Sequence, residues 1–263
     1  MFIHPEFDPI ALQLGPLSIR WYGLMYLFAF ASGGLLAAYR AKQPNSGWKV
    51  DEVSDFVFYS ALGVIIGGRL GSALFYNFAY YLEHPIQILY IWQGGMSFHG
   101  GLLGVMIALY FYARHTGRRY LDVTDFFIPF TGLGIAAVRF ANFINQELWG
   151  RVTDLPIGMV FPLAGSAPRH PSQLYEMLLE GILLFIILWV YTCKKRPLGR
   201  PSGLFLMLYS SARFLIEFVR EPDAHLGNIA FDWMTMGQIL SLPMFILGAL
   251  LWLGVFNQTR SKF

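Results

Sequence analysis

Charge is scarce in this chain. Asp, Glu, Lys and Arg make up 13% of its 263 residues, against 56% that are hydrophobic, where an ordinary soluble domain is about a quarter charged. So small a polar share argues against a water-soluble globule and for a chain that enters a lipid bilayer repeatedly. Cysteine is nearly absent: Cys193 stands alone, which excludes an internal disulfide and any multi-cysteine metal cage. No basic run of the kind that tracks a phosphodiester backbone is present, so nucleic acid is not an expected partner. Low-complexity tracts and solenoid-length repeats are missing too. No motif for a metal or a nucleotide occurs, and no cofactor is expected. The N-terminal stretch MFIHPEFDPIALQLGPLSIRWYG puts acids and prolines ahead of the first apolar run, without a basic lead. It does not read as a cleaved signal peptide, and the whole chain is expected to be the mature one.

What the chain has in abundance is long apolar runs. A bilayer core of about 30 Å takes roughly 20 mainly apolar residues per helix. Seven stretches qualify, near 18–39, 54–77, 86–113, 124–145, 173–193, 203–219 and 236–256. Lysine and arginine in short loops mark the cytoplasmic side. Arg40, Lys42, Lys49, Arg114, Arg118, Arg119, Lys194, Lys195, Arg196, Arg200, Arg260 and Lys262 all fall on one side of the alternation. Only Arg20, Arg151, Arg169 and Arg220 fall on the other. The expected fold is all-α, a single polytopic membrane domain over 1–263 with seven transmembrane helices. Its N-terminus is expected outside, its C-terminus in the cytoplasm, and a small external element at about 146–172.

Three arginines, Arg69, Arg139 and Arg213, remain within or near the ends of spans. A charge at that depth costs a few kcal/mol, so it faces the bundle interior or a wet cavity, beside a partner or an anionic ligand. Arg139 lies in AVRFANFINQELWGR, with Asn142 and Asn145 at spacings of three on the same helix face, ahead of Glu147, Trp149 and Gly150. The two amides suit either hydrogen bonds between helices or a ligand. Arg213 lies in LYSSARFLIEFVREPD, where Tyr209, Glu217 and Arg220 share its face. Glu217 either fixes packing as an internal ion-pair partner or, as one carboxylate beside two arginines, leaves surplus positive charge that invites an anion. Arg69 sits among small residues in IIGGRLGSALFYN, open to pairing with a carboxylate such as Asp55. Glu176 and Glu180 in RHPSQLYEMLLEG open a helix whose positive end favours carboxylates. His99, in GGMSFHGGLLG, is either an interhelical hydrogen bonder or a site residue; the glycines around it allow close backbone approach or a break in the helix, and they read as room for a ligand. Arginines, amides, a tyrosine and a histidine form a cradle suited to a phosphate head group, and a nearby histidine can take a proton from a nucleophile.

The stretches RWYGLMY, GGRLG, GGMSFHGGLLG, RFANFINQELWGR, RHPSQLYE, GLFLMLYSSARFLIEFVREPD and MGQILSLPM together resemble the bacterial prolipoprotein diacylglyceryl transferases over essentially the whole chain. The resemblance implies seven spans with a periplasmic N-terminus in the bacterial inner membrane. It also implies transfer of the diacylglyceryl group of phosphatidylglycerol onto the lipobox cysteine of a prolipoprotein signal peptide, as a thioether, with glycerol phosphate released as the first step of lipoprotein maturation. The family's functional positions map onto His99, Arg139 and Arg213 as catalytic residues. Tyr22, Asn142, Glu147, Gly150, Tyr209, Glu217 and Arg220 map as substrate-binding ones. Two departures stand out. Val138, Ala141 and Gln146 occupy positions where the family motif has glycine, and the loop from Arg151 to His170 is short. A phospholipid transporter or flippase, using the same cradle without making bonds, is the alternative. An intramembrane protease lacks a Ser/His or paired-Asp constellation within the spans.

Overall fold

A computed structural model describes residues 2–15, 17–90, 94–222, 227, 229–231 and 233–255. Arg260, Lys262, residues 91–93 of the third apolar stretch and the end of the seventh lie outside them. The helices are α1 Trp21–Ala41, α2 Val50–Phe75, α3 Phe78–Glu83, α4 Phe98–His115, α5 Tyr120–Ile144, α6 Ser172–Glu176, α7 Leu184–Tyr191, α8 Arg200–Ile216 and α9 Met236–Leu253. A π-helical run, Met177–Leu183, joins α6 to α7. The strands are β1 Phe2–Ile3, β2 Ile10–Leu14, β3 Leu17–Arg20, β4 Met159–Val160 and β5 Pro168–Arg169.

The protein is mostly helical, as expected, but not all-α. β2 and β3 form an antiparallel hairpin across Gly15, and β1 pairs parallel to β4, itself antiparallel to β5. These strands are two to five residues long, too short to leave an alternating pattern. Among the described residues five helical stretches are long and apolar enough to cross a membrane: Trp21–Ala41, Val50–Phe75, Tyr120–Ile144, Ser172–Tyr191 and Met236–Leu253. α4 and α8 occupy the other two stretches, but α4 spends its length on glycines, two histidines and an arginine, and α8 carries two arginines and three serines. The third stretch also starts late. Pro85–Leu89 forms a 3-10 turn, and α4 begins at Phe98, where Ser97 caps it by accepting from Gly100 N at 3.1 Å.

The described chain divides into two compact units, one of residues 1–33 and 125–263, the other of 34–124. In the second unit, Gly63, Gly67 and Gly71 of α2 meet Gly100 and Gly104 of α4. A Cβ on Gly63 would lie 2.8 Å from the Gly104 carbonyl oxygen, and one on Gly71 would lie 2.6 Å from the Gly100 Cα. Small residues four apart on both helices allow backbone contact, the packing mode available where lipid removes the hydrophobic drive between helices. The outer flank of α4 is correspondingly apolar, with Leu103, Met106, Tyr110 and Phe111 about half exposed. Arg69 is buried and donates to the carbonyls of Gln87, Ile88, Gly94 and Gly95 while facing the Tyr81 ring. It therefore clamps the segment before α4 rather than pairing with Asp55.

In the first unit, polar groups gather inside and apolar ones outside. Asn142, Gln173, Glu176, Glu180, Glu217 and Gln238 are buried, while Leu27, Leu178, Leu215 and Ile246 face outward. That inversion is the signature of a membrane protein. α5 approaches the π run at Gly132 and Gly181, where a Cβ on Gly181 would fall 2.6 Å from the Ala136 Cβ. Asp125 accepts from Gly199 N at 2.6 Å and Ser202 N at 3.0 Å, and so caps the N-terminus of α8.

Candidate active site

Arg139 on α5, Glu176 at the end of α6, Glu180 in the π run, and Arg213, Glu217 and Arg220 at and beyond the end of α8 form one buried charge cluster. Glu176 is its hub. Its oxygens lie 2.6 Å from Arg139 Nε, 3.3 Å from Arg213 Nη1 and 3.6 Å from Arg220 Nε. Glu180 sits 3.7 Å from both Arg139 Nη2 and Arg213 Nη1. Glu217 pairs with Arg213 one helical turn before it and with Arg220 Nη1 at 3.2 Å. The carboxylates are 0–1% exposed and the guanidinium side chains 9–16%.

Among the described residues three arginines thus meet three carboxylates, and the surplus positive charge expected from Arg213, Glu217 and Arg220 alone is not there. The helix-dipole role expected of Glu176 and Glu180 is also replaced, because both carboxylates face guanidinium groups. Arg220 Nη1 donates a hydrogen bond to Glu217 Oε1, but around Glu176 and Glu180 proximity is not hydrogen bonding. The four oxygens of Glu176 and Glu180 and Arg213 Nη1 stand at ion-pair distances without hydrogen-bond geometry. The cluster holds its arginines by charge and leaves Arg213 with directional bonding capacity to offer. π-helical turns are rare and concentrated at functional sites, and this one carries Glu180.

A second, amide-rich group adjoins Arg139. Asn142 accepts from Arg139 Nη1 at 3.4 Å and donates through Nδ2 to the Tyr22 hydroxyl and to Glu147 Oε1 at 3.3 Å. Asn145 donates to the same Glu147 oxygen at 3.2 Å. The β2–β3 hairpin delivers Tyr22, because Trp21 bonds back through its amide to Pro9 O and through its indole to Asp8 O. Glu147 rides on a turn in which Gln146 and Leu148 both have positive φ, 52° and 58°, a conformation that side chains with a Cβ adopt at a cost of about 1–2 kcal/mol each. The stretch RHPSQ holds that turn in place. Gln173 Nε2 donates to Glu147 O at 2.7 Å, Ser172 Oγ to Leu148 O at 2.9 Å, and His170 O accepts from Gly150 N at 2.8 Å.

Gly150 itself is a buried junction. A Cβ there would lie 2.6 Å from both the His170 Cβ and the Val219 carbonyl oxygen. Its role in this structure is to let the chains that carry His170 and Arg220 touch. Tyr209 lies one turn before Arg213, stacked on Phe205 and within the electrostatic reach of Arg139, Arg213, Glu176 and Glu180.

The first unit therefore brings together Tyr22, Arg139, Asn142, Glu147, Gly150, Tyr209, Arg213, Glu217 and Arg220. His99 belongs to the second unit, exposed in the first turn of α4 beside the Phe98 ring. Its glycine neighbours Gly100 and Gly104 are filled by the backbone of α2 and do not serve as room for a ligand. Among the described residues, no group of three or more His, Cys, Asp or Glu is arranged to hold a metal ion.

The chain is similar to known proteins over nearly its whole length. A phosphatidylglycerol-prolipoprotein diacylglyceryl transferase of Oleidesulfovibrio alaskensis is 59% identical over 97% of this chain and 95% of its own length. Proteins of the same name from Solidesulfovibrio magneticus and Coxiella burnetii are 56% and 55% identical, each over 96% of this chain and 96% and 97% of their own lengths. The family model for prolipoprotein diacylglyceryl transferase matches residues 9–254, and the chain belongs to that family.

Proposed function

We propose that this protein transfers the diacylglyceryl group of phosphatidylglycerol to the thiol of a lipobox cysteine in a prolipoprotein signal peptide. The observation that carries the reading is the buried cluster of Arg139, Arg213 and Arg220 inside an apolar helical unit, in a chain more than half identical to proteins named for that reaction.

The phosphate of the lipid is taken by Arg139 and Arg213. Because three carboxylates already balance the guanidinium charge, the phosphate enters as a competitor, and Arg213 Nη1, near carboxylates yet without a directed hydrogen bond, is the donor most readily given over. Asn142, Tyr22 and Tyr209 orient the glycerol head. The cysteine thiol loses its proton, with His99 as the proposed base. The thiolate attacks the glycerol carbon that bears the phosphate, the carbon–sulfur bond forms as the carbon–oxygen bond breaks, and glycerol phosphate departs. Guanidinium groups aimed at the departing phosphate stabilise the charge that grows there, and the same positive field favours a thiolate. No cofactor enters this scheme. In the proposed topology α4 and α8 join the five apolar stretches as seven spans of a bacterial inner membrane, with the N-terminus periplasmic and the C-terminus cytoplasmic.

Arg139→Ala and Arg213→Ala are each expected to abolish lipid transfer to a lipobox peptide while the protein still inserts in membranes. Normal transfer by either variant refutes the phosphate cradle. His99→Gln with near-normal turnover between about pH 6 and 9 removes His99 as base.

A further inference from the structure

The stretch MGQILSLPM carries part of the family resemblance but has no part in the scheme above. It opens α9, and its first turn closes on the charge cluster. Thr235, the N-cap of α9, donates through Oγ1 to Glu217 Oε2 at 2.5 Å. Its backbone N–H donates to Gln238 Oε1 at 3.0 Å, completing a capping box, and Gln238 Nε2 reaches the carbonyl of Phe214 on α8 at 3.4 Å. Gly237 is the third contact. A Cβ there would stand 2.7 Å from Glu217 Cδ and from Oε1, the oxygen that pairs with Arg213 and Arg220. Thr235 and Gln238 are 3% and 1% exposed. Glu217 therefore rests on the N-terminal turn of an 18-residue helix, where the helix dipole favours an anion. One oxygen is held by a hydroxyl and the other is free to face arginines only because position 237 has no side chain.

We propose that Thr235 and Gly237 are positioning residues of the transferase: they fix the rotamer of Glu217 and, through it, the place where Arg213 meets the lipid phosphate. The inference rests on the transferase reading. Neither residue touches the lipid in this scheme. Their effect passes through a carboxylate that contacts the phosphate-holding guanidinium in the ground state and in the transition state alike, so it shows in KM more than in kcat.

The experiment measures glycerol phosphate release against phosphatidylglycerol concentration for full-length wild type, Thr235→Val, Thr235→Ser and Gly237→Ala, with a thermal midpoint for each. Valine keeps the volume of threonine and loses the hydroxyl; serine keeps the hydroxyl and loses a methyl group. Thr235→Val is expected to raise KM roughly tenfold, the scale of a lost hydrogen bond to a charged group, with kcat within about threefold of wild type. Thr235→Ser is expected within about twofold of wild type in both constants. Gly237→Ala should fold, because the atom its Cβ meets is the movable end of Glu217, and should raise KM as Thr235→Val does. If position 235 only packs, the order reverses: valine is tolerated in KM and serine, which leaves a void, is the worse variant; if it only caps the helix, valine lowers the thermal midpoint and leaves KM at the wild-type value. That order, or an active Thr235→Val or Gly237→Ala with wild-type KM, overturns the proposal. A wild-type protein that releases no glycerol phosphate overturns the transferase reading and this one with it.

Discussion

Replacing Glu176 with glutamine keeps the shape of the hub residue and removes its charge. Arg139, Arg213 and Arg220 all lie within 3.6 Å of that carboxylate, and Glu176 is fully buried. After the change the described carboxylates left to the three guanidinium groups are Glu217 and Glu180, the latter no closer than 3.7 Å to Arg139 and Arg213. The new amide also points an N–H donor or a poorer acceptor at cations. Removing one partner from a buried ion network costs about 3–5 kcal/mol, because it leaves an uncompensated charge. For a chain of this size each kcal/mol moves the thermal midpoint by roughly 2–4 °C, so Glu176→Gln is expected to melt about 10 °C below wild type in detergent. Two further results follow from the same electrostatics. Adding Arg139→Gln to Glu176→Gln restores the charge balance and should recover part of the loss. Anionic phosphatidylglycerol should raise the midpoint of Glu176→Gln more than that of wild type, since its phosphate supplies the missing charge, and zwitterionic phosphatidylethanolamine should not. A Glu176→Gln midpoint within about 2 °C of wild type would refute the reasoning that this carboxylate neutralises the cluster.

The α2–α4 interface separates two neighbouring glycines. A Cβ at Gly100 meets the Gly71 Cα at 2.8 Å, whereas one at Gly101 finds its nearest atom at 3.6 Å. Gly100→Ala is therefore expected to destabilise by about 1–3 kcal/mol through overpacking, and Gly101→Ala to be neutral or slightly stabilising through helix propensity. Equal thermal midpoints for the two variants would contradict the packing role. His4 gives a pH dependence outside the spans. It is buried against Phe143 and Phe161, with Nε2 2.8 Å from the Phe143 carbonyl oxygen, and burial pushes its pKa below 6.5 despite backbone hydrogen bonds that act the other way. Its folded-state pKa is thus the lower one. Docking of the N-terminal strand is fully stable above about pH 6.5 and weakens as the pH falls, by at most about 1.4 kcal/mol per unit. The opening equilibrium at β1, read as hydrogen exchange divided by its intrinsic rate at each pH, should rise between about pH 6.5 and 5 in wild type and show no such rise in His4→Phe; a rise of equal size in both would exclude His4 as its source.

The apolar runs and the intramembrane arginines were legible from the sequence because both break sharply with soluble composition. Arg139 and Asn142 were expected on one helix face, and they do interact. The charge balance was not legible. Glu176 and Glu180 are local neighbours of an ordinary helix start, and nothing in RHPSQLYEMLLEG says that α5 and α8 present arginines to them; that is a tertiary fact. Arg139, Arg213 and Arg220 with Glu176, Glu180 and Glu217, all in or at the ends of apolar stretches, were the available signal, had they been counted across segments rather than within one. The glycines around His99 show the opposite case: they were correctly taken as allowing close approach, but the body that approaches is α2. At Gln146 a departure from the family's glycine coincides with a positive φ, so the motif's glycine marks backbone geometry there and not only close approach. The N-terminal turn of α9 was visible only as a resemblance, since the hydroxyl of Thr235 gains meaning only once Glu217 is seen resting on it.

The most direct measurement of the central claim follows both products at once. Purified protein is mixed with phosphatidylglycerol labelled in its head group and a peptide bearing a lipobox cysteine, and the label and the peptide mass are tracked together. The expected result is one glycerol phosphate released per peptide, with the peptide gaining one diacylglyceryl group on its cysteine and a cysteine-to-serine peptide gaining none. Head-group label that stays in intact phospholipid while the peptide remains unmodified would contradict the transferase reading.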